Sequence, residues 1–82
     1  MFFYTYILQS KADKKFYIGS TNDLAKRLKE HNAGKVKSTK ARLPFKLVYY
    51  EAYPNEKSAR LREKQLKNDK RAKRRLLDRV FS

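Results

Sequence analysis

Two polar side chains of the predicted first helix lie where packing alone favours apolar residues. Leu24 and Leu28 form an apolar stripe at a spacing of four residues, and on a helix Arg27 and His31 fall within about 60° of that stripe. An arginine there can clamp a phosphate, and a histidine can shuttle a proton or donate to a phosphate. The plain alternative is that Arg27 extends into solvent and that His31 is a hydrogen-bonded residue at the core boundary.

The predicted second helix carries a carboxylate on its apolar face. Glu63 shares that face with Ala59 and Leu66, and a carboxylate removed from water needs a cation or a metal as its partner. Arg62 or Arg60 could supply a simple ion pair. The alternative is a divalent metal site, because one carboxylate combined with water and a substrate phosphate is typical of Mg²⁺.

Tyrosines lie on both predicted N-terminal strands. Tyr4 and Tyr6 share one face of the first strand, and Tyr17 lies in the second. Tyrosine is common in strands, so packing alone can account for all three. Gly19 ends the second strand, where the missing side chain would let a backbone or a ligand come close.

The charge of the chain restricts the classes of partner. Its 22 Lys and Arg residues against 8 Asp and Glu give a formal net charge of +14. This excess is larger than solubility requires, and it favours a polyanionic partner such as nucleic acid. The segment from Gly34 to Leu43 is predicted to be a mobile loop that faces phosphates. Its basic residues are Lys35, Lys37, Lys40 and Arg42.

Length and composition exclude several other classes. A chain of 82 residues is predicted to form one domain, residues 1–82, with a thin core and a site near the surface. The absence of cysteine excludes disulfides, a thiol nucleophile and thiolate metal sites, and it makes the cytoplasm the default compartment. No apolar run fits a signal peptide or a membrane span, so no membrane partner is expected.

The order of the elements predicts the fold class. Aromatic and β-branched residues predict strands at residues 2–8, 16–19 and 45–53, and the first is apolar on both faces, which is typical of a strand inside a sheet. Caps and breakers predict one helix from Leu24 to just before Gly34, a second from about Glu56 and a third from Lys70 to about Val80. The sequence therefore predicts an α+β fold in the order ββαβαα, a small three-stranded, mainly antiparallel sheet with helices packed on it.

The motifs that carry these side chains resemble those of the GIY-YIG nuclease family. Tyr4-Thr5-Tyr6 is followed after ten residues by Tyr17-Ile18-Gly19, and Arg27 and His31 lie in the segment TNDLAKRLKEHNAG. The likeness extends over nearly the whole chain, including KLVYYEAYP and SARLREKQLK, and it is strongest to small stand-alone bacterial members related to the excinuclease catalytic domain. The first motif departs from the family name, with Tyr-Thr-Tyr in place of Gly-Ile-Tyr, but it retains the tyrosine at Tyr6.

The resemblance implies a role for each of five residues. Tyr6 would be the tyrosine of the first motif, Tyr17 that of the second, Arg27 the phosphate-stabilising arginine, His31 an auxiliary polar group and Glu63 the metal ligand. It also implies Mg²⁺ or Mn²⁺ as the cofactor. A neutral phenol is a poor base at pH 7, so Tyr6 needs help from cationic charge, the metal or His31, and the group that finally takes the proton stays open.

The resemblance and the charge together predict a divalent-metal-dependent endonuclease. It would hydrolyse phosphodiester bonds in DNA with little sequence specificity, in DNA repair or recombination. One alternative is a non-catalytic nucleic-acid-binding module that uses the same basic surface, although such a module has no need for Glu63. Another is an interaction module whose basic C-terminal helices bind ribosomal RNA or an acidic protein.

Overall fold

Three antiparallel strands form the sheet at the centre of the fold. The computed structural model describes residues 1–82 and contains β1 (Phe3–Ser10), β2 (Phe16–Thr21) and β3 (Phe45–Tyr53). The spatial order is β2-β1-β3, and β1 pairs antiparallel with both neighbours. The strand that is apolar on both faces is therefore the central one, as predicted. β2 extends two residues beyond its predicted end, to Thr21.

Three helices pack on the sheet, and each begins after a side chain that accepts backbone hydrogen bonds. The caps are Asp23, Asn55 and Asp69, whose side-chain oxygens accept from amides of the first turn. Asp69 also follows the last residue of the second helix, so the second and third helices meet at one residue. The helices begin at the predicted residues and are α1 (Leu24–Asn32), α2 (Glu56–Asn68) and α3 (Lys70–Val80).

The two faces of β1 belong to two hydrophobic clusters, because side chains alternate along a strand. On the side of α2 and α3 the buried residues are Ile7, Ile18, Leu66, Ala72 and Leu76. On the other side they are Tyr6, Leu8 and Phe45, against which Leu24 and Leu28 of α1 pack. The predicted inward stripe of α3 is present, with Val80 half-buried against the first cluster. The sheet therefore separates α1 from α2, and the two helices approach each other only around its β2 edge.

The segment predicted as a mobile loop contains local structure. Lys40–Arg42 form one turn of 3-10 helix, and Thr39, just before it, is fully buried. The amide of Thr39 donates to the carbonyl of Val36 at 3.1 Å. This segment therefore contributes a polar side chain to the interior as well as basic residues to the surface.

The predicted α+β class and the order ββαβαα are confirmed. None of the three helices has the length and apolar character that crossing a membrane requires.

Candidate active site

The ring of Tyr6, the tyrosine of the first motif, lies over Gly19 and so reaches the β2 edge of the sheet. Gly19 is the direct cross-strand partner of Tyr6, so both residues point to the same face. A Cβ atom at residue 19 would lie 2.5 Å from the Tyr6 hydroxyl oxygen and 2.7 Å from the ring carbon that carries it. Only glycine leaves room for the ring. The close approach at Gly19 is thus made by a side chain, whereas the sequence indicated a backbone or a ligand.

An open cleft at this edge is lined by side chains from β1, α1 and α2 as well as from β2. Its volume is about 470 Å³, and its walls come from α1 on one face of the sheet and α2 on the other. Four of the five residues singled out by the family resemblance line it: Tyr6, Tyr17, Arg27 and Glu63. The fifth, His31, lies in the core directly behind Tyr6.

His31 is fully buried, and both of its ring nitrogens have partners. Nε2 lies 3.0 Å from the Tyr6 hydroxyl oxygen, and Nδ1 lies 2.9 Å from Oγ1 of Thr39. The Thr39 hydroxyl donates to the carbonyl of Val36 at 3.3 Å, so it accepts from Nδ1 and leaves Nε2 as the acceptor for the Tyr6 proton. The hydrogen bonds therefore fix the direction in which the Tyr6 proton can move.

Burial shifts the pKa values of Tyr6 and His31 so that both groups stay neutral. Burial raises the pKa of Tyr6 to about 12, although a hydrogen bond from Arg27 opposes the rise. Burial, together with the nearby charge of Arg27, lowers the pKa of His31 to about 4. Both shifts oppose moving the proton from Tyr6 to His31 in this state, because each favours the neutral form of its group. The transfer therefore needs additional positive charge beside the phenol oxygen.

Arg27 already places one fixed positive charge beside the phenol, and the pKa of Tyr6 stays raised in spite of it. Its hydrogen bond with Tyr6 raises the pKa of its guanidinium, and its ion pair with Glu30 at 3.3 Å adds to the effect. The guanidinium is half-exposed in the cleft, so it can meet a phosphate oxygen while it remains in contact with the tyrosine. A planar fork of donors suits this task.

Glu63 faces Arg27 from the other wall, and both oxygens of its carboxylate have partners. The Ser20 hydroxyl donates to Oε1 at 2.7 Å, and Nζ of Lys67 pairs with Oε2 at 2.7 Å. Its side chain is 23% exposed, so the carboxylate can be reached from the cleft. The cation beside it is not one of the arginines that the sequence offered. Arg60 pairs instead with Glu56.

A polar cluster beside Glu63 connects α2 to β3. Arg62 donates to both carboxylate oxygens of Glu51, at 3.0 and 3.1 Å. The hydroxyls of Tyr49 and Tyr53 donate to the same carboxylate, at 2.7 and 2.5 Å. These bonds tie α2 to β3, so the neighbouring Glu63 is directed into the cleft.

The carboxylate of Glu63 is suited to a divalent cation that keeps most of its water ligands. It is less suited to a cation that is coordinated entirely by protein side chains. No group of three or more His, Cys, Asp or Glu side chains is brought together anywhere in the structure. Mg²⁺ keeps several of its waters and is commonly held by one or two carboxylates and substrate phosphates. One accessible carboxylate in an open cleft, with the hydroxyl of Ser20 beside it, matches that donor set.

The four basic residues predicted to bind nucleic acid lie outside the cleft, in different environments. Lys35, Lys37 and Lys40 are exposed. Arg42 is half-buried, and its Nε pairs with Asp13 at 3.1 Å. The structure therefore presents three free lysines and one engaged arginine on this segment.

Three polar residues at the site were missed by the sequence reasoning. Thr39 gave no signal, because its contact with the histidine depends on the path of the loop. Ser20 lies just before the cap of α1, Asp23, where short polar residues are expected in any case, so its type gave no separate signal of a contact with Glu63. Lys67 had a usable signal, since it lies one helical turn after Glu63 on the same face.

We expect the buried neutral histidine to make the protein less stable in acid. The unfolded state binds a proton near the ordinary histidine pKa of 6.5, whereas the folded state does so only at about 4. Protonation therefore favours the unfolded state as the pH falls through this window, and the free energy of unfolding should drop by about 3 kcal/mol between pH 7 and pH 4 from this group alone. Denaturant titrations of wild type and His31→Gln at each pH measure it, because the variant lacks the titrating ring. Parallel pH profiles for the two proteins would contradict the neutral state of His31.

A known protein family matches most of the chain. Residues 2–76 match the sequence profile of the GIY-YIG catalytic domain. The chain therefore belongs to the GIY-YIG family, a family of nucleases whose members generally depend on divalent metal ions. The resemblance found in the motifs around Tyr6 and Tyr17 is thereby confirmed.

Several bacterial relatives are UPF0213 proteins. The chain is 51% identical over 57 residues to one from Streptococcus pyogenes serotype M5, and this match spans 68% of the chain but only 61% of the relative. It is 48% identical over 65 residues to one from Clostridium perfringens, covering 78% of the chain and 69% of that protein. The solution NMR structure of a UPF0213 protein from Bacillus halodurans aligns with a TM-score of 0.60 and 39% identity, covering 95% of this chain and 84% of that one.

Proposed function

We propose that residues 1–82 form one divalent-metal-dependent endonuclease domain that hydrolyses phosphodiester bonds in DNA. The observation that carries the proposal is the convergence of Tyr6, Arg27 and Glu63 on one open cleft. These groups offer a proton acceptor, a fixed positive charge and a ligand for a divalent cation. Together these groups can activate a water and stabilise charge on the phosphate oxygens, as phosphodiester hydrolysis requires, and membership of the GIY-YIG family supports the nuclease class.

Each side chain has one task in the proposed reaction. Mg²⁺ or Mn²⁺ held by Glu63 would supply Lewis-acid stabilisation of the phosphate oxygens. Arg27 stabilises the same oxygens from the opposite wall. Tyr6 orients the attacking water and accepts its proton. Tyr17 packs edge to face on His31, with 4.9 Å between the ring centroids, and thereby positions the ring behind Tyr6.

The proposed proton path leads from the cleft into the core. The hydroxyl of Tyr6 donates to the unprotonated Nε2 of His31, so the phenol can pass on its own proton as it takes one from water. Positive charge beside the phenol oxygen lowers the pKa of Tyr6 and reduces the cost of this transfer. His31 is therefore our candidate for the final proton acceptor.

The distribution of charge supports binding to the DNA backbone without base recognition. Lys35, Lys37 and Lys40 are exposed next to α1, while Arg42 becomes available only when its pair with Asp13 opens. Phosphate contacts position a protein on nucleic acid but carry no sequence information. We therefore propose little sequence specificity and a role in DNA repair or recombination. The lack of cysteine supports a cytoplasmic location.

A non-catalytic nucleic-acid-binding module is the second candidate, and the Glu63–Lys67 pair favours it. A carboxylate in a DNA-binding cleft normally repels phosphates unless it holds a cation. The ammonium of Lys67 already neutralises this one, so Glu63 alone does not exclude a binding module. Catalysis must therefore be tested directly.

A cleavage assay distinguishes the two candidates. Single-stranded, duplex and branched DNA, with RNA in parallel, are incubated with the protein in Mg²⁺ or in EDTA. We expect cleavage of DNA in Mg²⁺ and none in EDTA, and a rate about a hundredfold lower for Arg27→Ala, by analogy with the loss of one oxyanion donor. Tight binding without cleavage of any substrate would reject the endonuclease and favour the binding module.

A further inference from the structure

The ammonium group of Lys67 forms an ion pair with Glu63, the carboxylate that would bind the divalent cation. Nζ of Lys67 lies 2.7 Å from Oε2 of Glu63, while the Ser20 hydroxyl takes Oε1. Lys67 and Glu63 are four residues apart on α2, a spacing that brings side chains together on a helix. A cation bound to Glu63 must therefore share or replace the contact with Lys67.

The ammonium of Lys67 also lies near the ring of Tyr17, which lines the same cleft. Nζ lies 5.9 Å from the ring centroid of Tyr17, close enough for a cation–π contact. The Lys67 side chain is 46% exposed, about twice the value for Glu63, and its flexible stem lets the charge move at little cost. Released from Glu63, Lys67 can stay beside Tyr17 and face solvent.

Two cations at one carboxylate oppose each other. A divalent ion a few ångströms from an ammonium raises the free energy of both, and the ammonium is the one that can leave. The freed donors then lie in a cleft where phosphate oxygens are the expected acceptors, and a charged donor forms strong hydrogen bonds with phosphate.

We propose that Lys67 competes with the divalent cation for Glu63 and becomes a phosphate-binding residue when the cation takes its place. This proposal rests on the proposed function, because it assumes that Glu63 holds a divalent cation. Its consequence is a positive linkage. The cation releases a DNA-binding group, so the cation and DNA each strengthen the binding of the other.

The first test measures Mn²⁺ binding without DNA, by calorimetry. Lys67→Met should bind Mn²⁺ about fivefold more tightly than wild type, since the competing ion pair is lost. Lys64→Met is the matched control, because Lys64 lies on the same helix and lines the same cleft but makes no ion pair with Glu63. It should change the affinity by about twofold or less.

The second test measures DNA binding in the Tyr6→Phe background, which suppresses cleavage. A fluorescent duplex is titrated in EDTA and in Mn²⁺. Adding Lys67→Met should weaken binding more in Mn²⁺ than in EDTA, because the ammonium is free only when the cation holds Glu63. Adding Lys64→Met should weaken binding to the same extent in both conditions.

The outcomes separate this proposal from the proposed function. Mn²⁺ binding that survives unchanged in Glu63→Gln would overturn the metal assignment itself. Mn²⁺ binding that is lost in Glu63→Gln but equally affected by Lys67→Met and Lys64→Met would overturn only the competition.

Discussion

Replacing Tyr6 with phenylalanine is expected to slow DNA cleavage by about 10²- to 10⁴-fold, the range for a general acid or base. Phenylalanine keeps the ring that crosses Gly19 and removes only the hydroxyl. Single-turnover rates at saturating DNA report the loss. Tyr17→Phe is the matched control, because its hydroxyl has no partner in the protein, and it should lose less if Tyr17 only positions its neighbours.

The same substitution also has a predictable cost in stability. Without the phenol, the buried Nε2 of His31 loses its donor, and a buried unsatisfied acceptor costs about 1 to 3 kcal/mol. Thermal melts must therefore show that Tyr6→Phe is folded at the assay temperature. Tyr17→Phe leaves no such group behind and should melt close to wild type.

The dependence of the rate on pH identifies the role of the hydroxyl. The pKa of Tyr6 is about 12, so between pH 6 and pH 9 the ionised fraction rises up to tenfold per pH unit. A mechanism that starts from the ionised phenol would make the rate rise with this fraction. Transfer of the phenol proton to the neutral His31 during the reaction instead predicts a wild-type rate that stays level from pH 6 to pH 9, with Tyr6→Phe slower at every pH. Equal rates for the two proteins at every pH would show that another group accepts the proton.

Replacing Glu63 with glutamine is expected to abolish metal-dependent cleavage while DNA binding remains. The amide keeps the shape of the side chain and can still accept from Ser20, but it removes the negative charge that a divalent cation needs. A loss on the order of 10³-fold or more is expected, because the cation contributes several kcal/mol to transition-state stabilisation. Cleavage and binding are measured on the same labelled duplex.

A second carboxylate on α2 provides the control for charge. Glu56 lies in the first turn of the helix and pairs with Arg60, outside the cleft that contains Glu63. Glu56→Gln removes the same charge and should cleave within about twofold of wild type. Wild-type Mg²⁺-dependent cleavage by Glu63→Gln would reject the metal assignment.

The fold could be predicted because its signals are local. β1 is apolar on both faces, which placed it at the centre of the sheet. Asp23, Asn55 and Asp69 cap helices at positions that short polar residues mark in the sequence. The end of β2 was less predictable, because its last two residues, Ser20 and Thr21, are as typical of a helix cap as of a strand.

The candidate site was predictable in its residues and less so in its contacts. Arg27 and Glu63 stood out because each departs from the apolar pattern of its helix. Arg62 was one predicted ion-pair partner of Glu63, and this prediction was wrong because adjacent residues point to different sides of a helix. Thr39 could not be predicted, because its contact with His31 depends on how a ten-residue segment with few apolar residues folds back.

The cleft takes its walls from opposite faces of the sheet, and this restricts when a chain under synthesis could become active. Tyr6 leaves the ribosome early, Arg27 follows with α1, and Glu63 emerges only with α2. A nascent chain that already displays the tyrosine, the arginine and the basic loop still lacks the carboxylate. Any cutting activity would therefore appear only after α2 has been translated and has docked on the far face of the sheet.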